Sequence, residues 1–363
     1  MTLAIFLPSL DGGGAERNVL NLAVGIEKRG LPVQLVLAEA RGAYLKLVPE
    51  TIPIVDLDSA HVARSLPRLV SFLRRERPET VLAVMDHANV IALLAQRIAR
   101  SSARVIVSTH TIMSLARHGA VPKREAFLPY LARLTYPWAN TVIAVSQGAA
   151  EDLSSVIGLD SDRIKVIYNP VVTSEMLERQ HEPLAHPWFR PEEPPVLCAV
   201  GRLAPEKDYA TLLRAFRLVH EQQPSRLIIL GEGPLRSDLE SLIKEFGIAE
   251  SVSLPGHTEN PYPYMANSAV FVLSSAWEGL PTVLIEAMAF GTPVVSTDCP
   301  GGASEILEDG HHGQLVKVGD AQALANAILH ALLHPSESDQ LRSRAMDFHV
   351  DKIVDEYIAL FAA

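Results

Sequence analysis

The chain has 363 residues, 48% of them hydrophobic and 20% charged, which is apolar material for two ordinary cores and too much for a disordered chain. A formal net charge of −10 argues against a nucleic-acid protein, and the two cysteines, Cys198 and Cys299, lack metal or redox spacing and read as reduced, buried thiols. That charge is uneven: residues 1–190 carry 21 Lys and Arg against 18 Asp and Glu, the remainder 11 against 24, so the first part alone suits an anionic surface.

Taken in order, the chain alternates strand and helix. Leu3–Leu7 is an apolar strand rather than a signal peptide, and no apolar window is long enough to cross a bilayer, so a cytoplasmic protein is expected. Gly12-Gly13-Gly14 leads into a helix over 15–29, without the G-x-G-x-x-G spacing of a dinucleotide site. Short strands are expected at 33–37, 52–55, 80–84, 104–108, 141–144 and 165–167, with helices near 61–75, 88–100, 124–138 and 147–156. This βαβ alternation means a doubly wound parallel sheet with ligands outside the strand carboxyl ends. Residues 1–170 form that first domain, and 171–195, rich in Glu, Pro and His, read as a linker.

The alternation then restarts over 196–345. Strands at 196–200, 226–230, 252–254, 269–273, 293–296 and 314–316 alternate with helices at 209–221, 235–246, 282–290 and 321–333. A last helix, about 339–361, has Met346, Val350, Ile353, Tyr357 and Phe361 on one apolar stripe.

Several positions could carry chemistry. Gly279-Leu280-Pro281-Thr282-Val283 puts free amides and a helix N-terminus at a strand end, where an anion is favoured. Glu278 and Glu286 frame that loop with seven residues between them, and carboxylates there suit sugar or ribose hydroxyls better than phosphate. Arg202 and Lys207, five apart after a strand, are placed to grip a diphosphate. Asp86 and Asn89 follow another strand and either contact an acceptor or cap the next helix. Asp56-Leu57-Asp58 spells D-x-D but reads as a solvated turn, and no His, Cys and Asp set has metal spacing, so no metal or cofactor is required.

The run E-G-L-P-T-V-L-I-E-A-M-A-F-G-T-P-V-V from Glu278 and the run G-R-L-A-P-E-K-D from Gly201 together resemble the retaining glycosyltransferases of the GT-B fold, family 4. The resemblance implies two Rossmann-like domains facing across a cleft, with the terminal helix, about 346–363, crossing back to the N-terminal domain. It also implies transfer of a hexosyl or N-acetylhexosaminyl unit from a nucleoside-diphosphate sugar, uridine by family frequency, to a glycan or lipid-linked glycan with retention. By motif position, Arg202 and Lys207 would neutralise the leaving diphosphate, Glu278 would orient sugar hydroxyls and Glu286 the ribose. Gly13 and Gly14 would lie against the diphosphate and Arg17 near the acceptor. Gly231 and Gly233 of G-E-G-P would line the nucleotide side, His257 would stand near the base, and His110 would face the reacting sugar. No dedicated base is identifiable, which fits internal return. A nucleotide-sugar 2-epimerase and a non-catalytic nucleotide-sugar-binding subunit share this outline.

Two segments are basic with apolar interleaving, 61–77 and 113–138; each either lies on anionic lipid, which would put the protein at the inner face of the cytoplasmic membrane, or covers the sheet with its cations outward.

Overall fold

A computed structural model describes residues 2–118 and 127–362. The chain divides into two compact units, unit 1 comprising 1–171 with 350–363 and unit 2 comprising 172–349.

Unit 1 is built on seven strands, β1 (Leu3–Leu7), β2 (Val33–Leu37), β3 (Ile54–Asp56), β4 (Thr80–Val84), β5 (Arg104–Thr109), β6 (Thr141–Ala144) and β7 (Ile164–Val166). They pair in parallel in the order β3-β2-β1-β4-β5-β6-β7. All five residues of β1 are buried, as a parallel sheet covered on both faces requires. The helices are α1 (Gly14–Lys28), α2 (Leu66–Glu76), α3 (Asp86–Ala99), α4 (Leu128–Thr135) and α5 (Gln147–Ile157). One apolar core gathers Phe6, Phe72, Leu93 and Leu153, and the other gathers Ile5, Leu35, Ile26 and Leu22.

Unit 2 holds six parallel strands, β8 (Val196–Val200), β9 (Arg226–Leu230), β10 (Val252–Gly256), β11 (Val270–Leu273), β12 (Val294–Thr297) and β13 (Gln314–Val316), in the order β10-β9-β8-β11-β12-β13. Its helices are α6 (Ser174–Arg179), α7 (Tyr209–Gln222), α8 (Arg236–Glu245), α9 (Tyr262–Asn267), α10 (Thr282–Phe290), α11 (Ala303–Ile306), α12 (Ala321–Leu333) and α13 (Ser338–Ala345). In both sheets the strand order reverses direction at one place, between β1 and β4 and between β8 and β11, and ligands of such sheets bind outside the carboxyl ends at that reversal.

Two expectations need correction. Residues 172–195 belong to unit 2 and include α6, capped by Thr173, whose hydroxyl oxygen accepts the Met176 amide. The single terminal helix is two: α13 ends in a 3-10 turn at Met346–Phe348, His349 is extended, and α14 (Val350–Ala362) follows. The break is enforced by pairing, since the Val172 amide donates to the Phe348 carbonyl at 3.1 Å. Consequently Met346 is exposed, while Ile353, Tyr357 and Phe361 enter the core of unit 1. There α14 lies on α1 where Gly25 has no side chain: a Cβ would sit 2.5 Å from Val354 Cγ2. Of the two readings of the basic segment 61–77, the packed helix is the one seen: Leu69, Val70, Phe72 and Leu73 turn inward and the arginines outward.

Candidate active site

The reversal between β8 and β11 explains how motifs about eighty residues apart come together. Leu197 and Cys198 of β8 lie beside Val270 and Phe271 of β11, so the loops leaving both strands open side by side. The β8 loop makes a 3-10 turn at Pro205–Lys207, then Asp208 adopts a left-handed conformation and caps α7 through Thr211. The β11 loop is tied to it twice: Ser274 Oγ donates to the Lys207 carbonyl at 2.7 Å, and the Ala276 amide donates to the Glu206 carbonyl at 2.8 Å.

At this junction Lys207 Nζ donates to Glu278 Oε1 at 2.5 Å, and Ser275 Oγ donates to the same oxygen at 2.7 Å. Both side chains are largely sheltered, 16% and 14% exposed. Oε2 is left outside these two bonds, free to accept from a further hydroxyl. Thr297 Oγ1 donates to the Ser275 carbonyl at 2.6 Å and fixes the loop from β12. Beneath the pair lie Tyr209 and Cys299, both buried; burial pushes the Cys299 thiol up to about 12, so it stays protonated and inert. Arg202, by contrast, is exposed, and among the described residues nothing holds its guanidinium. One loop thus carries two cations, one parked on a carboxylate and one exposed.

The remaining unit 2 candidates lie on α10 and on the loops after β9, β10 and β11. Pro281 is the cap of α10, and the first turn, Thr282 and Val283, lacks intrahelical partners for its amides. Gly279, Thr282, Val283 and Glu286 are half-buried, and Leu280 is buried. His257 is exposed at the end of β10. Gly231 and Gly233 are pressed against the Arg202 loop: a Cβ on Gly231 would lie 2.0 Å from the Gly201 carbonyl oxygen, and one on Gly233 2.3 Å from that of Leu203. The Leu203 amide donates to the Glu232 carbonyl at 2.9 Å. These glycines therefore shape the loop that presents Arg202.

In unit 1 the candidates sit at the carboxyl ends of β1, β4 and β5. Gly13 is the cap of α1, and a Cβ there would lie 2.4 Å from Glu16 Oε2, because the Glu16 carboxylate folds back over the turn and accepts backbone hydrogen bonds. Gly14 opens α1, and Arg17 stacks on Tyr44, 5.8 Å from the ring centre. His110 Nε2 lies 3.0 Å from Ser108 Oγ, and burial lowers its pKa to about 4, so the half-buried ring is neutral. Asp86 is buried with its carboxyl pKa raised by desolvation; it accepts from Thr111 Oγ1 at 2.7 Å and from the Tyr136 hydroxyl at 2.9 Å. Asn89 is fully buried and donates to the Ser108 carbonyl and to Tyr136, both at 2.9 Å. Neither residue caps α3 by its side chain, and Asn89 is out of reach of any acceptor. Asn89 serves instead to brace the strand end that carries His110.

Sequence reasoning missed Ser274, Ser275, Thr297, Tyr209 and Tyr136. The serines read as a small-residue turn, and nothing local marks a hydroxyl whose partner is on another strand.

Comparison with known proteins agrees with this layout. The model "Glycosyltransferase Family 4" matches residues 12–175, and "Glycosyl transferases group 1" matches residues 182–348. The N-acetylgalactosamine-N,N'-diacetylbacillosaminyl-diphospho-undecaprenol 4-alpha-N-acetylgalactosaminyltransferase of Campylobacter jejuni is 30% identical, covering 94% of this chain and 91% of that protein. The lipopolysaccharide core biosynthesis glycosyltransferase LpsE of Rhizobium meliloti is 27% identical, covering 97% and 96%. Anabaena HepE, crystallised with UDP and glucose, superposes with a TM-score of 0.81 at 23% identity over the full length of both chains. Sucrose-phosphate synthase of Thermosynechococcus elongatus superposes at 0.84 and 19% identity, covering 100% and 98%, a likeness of fold. Given a relative 30% identical over nearly its whole length, with both halves matched by their family models, this chain belongs to the GT-B glycosyltransferases of the family 4 type.

Proposed function

We propose that the enzyme transfers a hexosyl or N-acetylhexosaminyl unit from a UDP-sugar to a glycan or lipid-linked glycan, with retention of configuration. The observation that carries this reading is the Lys207–Glu278 pair, whose second carboxylate oxygen is free, on a loop that also carries the exposed Arg202. Arg202, Lys207 and the first turn of α10 would stabilise charge developing on the departing diphosphate. Glu278 Oε2 would accept a sugar hydroxyl and Glu286 a ribose hydroxyl. With fixed cations in these roles, the reaction calls for no divalent ion. His110 is assigned to the sugar by the family resemblance; held neutral, it would act as a hydrogen-bonding group rather than as an acid. With no separate base in the set, a leaving phosphate oxygen would take the acceptor proton on the same face. The curated relatives named for lipid-linked and lipopolysaccharide acceptors support a glycolipid substrate.

The test is thermal unfolding of the wild type and Glu286→Ala against UDP, GDP, ADP and their hexose conjugates. At 100 times Kd a ligand adds about 2.7 kcal/mol, roughly 5–10 °C for a unit of this size. Uridine ligands should stabilise the wild type more than the variant. If no nucleotide moved either protein, the reading would fail. Proton NMR of the first product reports retention, and an inverted anomer would remove that part of it.

A further inference from the structure

Most amphipathic helices bury their large apolar side chains; α4 does the reverse. It packs Pro129, Ala132 and Thr135 inward with Leu128 partly buried beside them, and turns Phe127, Tyr130, Leu131 and Leu134 outward, with Trp138 one turn further on. These five are 40–69% exposed, and they are half of the ten large apolar side chains exposed among the described residues. Positions 127, 130, 131, 134 and 138 fall at intervals of three and four, so they form one stripe rather than a scatter. A helix that faces only water or its own core has no use for this pattern.

Cations border the stripe. Arg133 projects from α4 itself, the Arg97 guanidinium stacks on the Trp138 ring 4.8 Å from its centre, and Arg163 donates to the Pro137 carbonyl at 3.3 Å. Residues 127–138 contain no acid. The acids on the neighbouring α5 are engaged: Glu151 accepts from Gln147 at 3.2 Å, and Asp152 accepts the Ser114 amide at 3.0 Å. Lys123, Arg124 and Glu125 of this segment lie outside the described residues.

We infer that α4 and the turn after it dock on the surface of an anionic phospholipid bilayer, the apolar stripe entering the interface and the arginines meeting headgroups. Charge complementarity selects this occupant over a second copy seated on the same stripe, which would set Arg97, Arg133 and Arg163 against their own counterparts, whereas anionic headgroups neutralise them. Tyr and Trp at the rim suit an interface that is apolar on one side and wet on the other. The stripe is also anchored to the candidate acceptor residue Asp86: Tyr136, fully buried directly after α4, donates to its carboxylate at 2.9 Å. The inference deepens the proposed glycolipid acceptor and rests on that reading for its purpose, while its test does not use the reaction.

The full chain is sedimented with vesicles of phosphatidylglycerol and phosphatidylcholine in equal parts, and with phosphatidylcholine alone. The wild type should bind the anionic vesicles, and Leu134→Glu and Tyr130→Glu should each weaken binding by about tenfold to a hundredfold. Arg75→Glu, on the inward-packed α2, should change it less than either. Both stripe residues are exposed, so unfolding midpoints and the UDP-induced thermal shift should stay as in the wild type. Equal binding by the stripe variants, no binding by the wild type, or a dimer that dissolves in Leu134→Glu without any vesicle binding would each overturn the inference. Loss of the UDP shift with vesicle binding intact would instead sink the donor reading alone.

Discussion

In the free protein Lys207 is held by the carboxylate that is assigned to the donor sugar, so the two roles compete. Replacing Glu278 by Gln keeps the shape and a hydrogen-bond acceptor but removes the charge that Lys207 leans on at 2.5 Å. A charge-assisted bond of this kind is worth about 1.5–3 kcal/mol, and partial shelter rather than full burial puts it toward the lower end. UDP should therefore bind Glu278→Gln more tightly by about 1 kcal/mol, roughly fivefold, because the diphosphate no longer shares its cation. Lys207→Ala removes that cation and leaves Glu278 beside the diphosphate, so UDP should bind about 30- to 100-fold more weakly, a loss of about 2–3 kcal/mol. Turnover of the sugar donor should fall in both, by about a hundredfold in Glu278→Gln, where a sugar hydroxyl loses its charged partner. Isothermal titration with UDP and a coupled nucleotide-release assay read the two effects separately. If Glu278→Gln weakens UDP as much as Lys207→Ala does, the pair is not a competitor for the diphosphate and the reasoning is wrong.

Two further outcomes follow from the geometry. The His110 pKa is lowered from an ordinary 6.5 to about 4, so the unfolded chain takes up a proton before the folded one does. His110 then costs nothing above pH 6.5 and destabilises the protein as pH falls from there toward 4; because part of the ring meets solvent, the loss is about 1–3 kcal/mol. Urea midpoints at pH 7 and pH 5 should show a smaller drop for His110→Gln than for the wild type. Gly231→Ala puts a methyl carbon 2.0 Å from the Gly201 carbonyl oxygen at a backbone φ of +140°. Overpacking and strain together should cost about 2–4 kcal/mol and weaken UDP binding through the displaced Arg202 loop; an unchanged urea midpoint and UDP affinity would refute the packing.

Much of this molecule was legible in one dimension because its signals are local. Apolar runs such as Leu3–Leu7 and Val196–Val200 can only be buried strands of a covered parallel sheet, and the alternation with helices sets the fold class. Arg202, Lys207, Glu278 and Glu286 stood out because their spacing from strand ends is itself the signal. What the chain alone left open was each question of which face meets which neighbour. The two basic segments read alike, yet α2 buries Leu69, Phe72 and Leu73, whereas α4 packs through Ala132 and Thr135 and leaves Tyr130, Leu131 and Leu134 outside. Asn89 and an acceptor residue look the same in sequence; only the position of Tyr136, from 47 residues later, shows that its amide nitrogen is spent in the core. The terminal stripe was visible, but its partner was decided by Gly25 on α1, whose missing side chain lets Val354 approach. Periodicity reports that a residue has a preferred side, and only close packing with residues distant in sequence determines what that side touches.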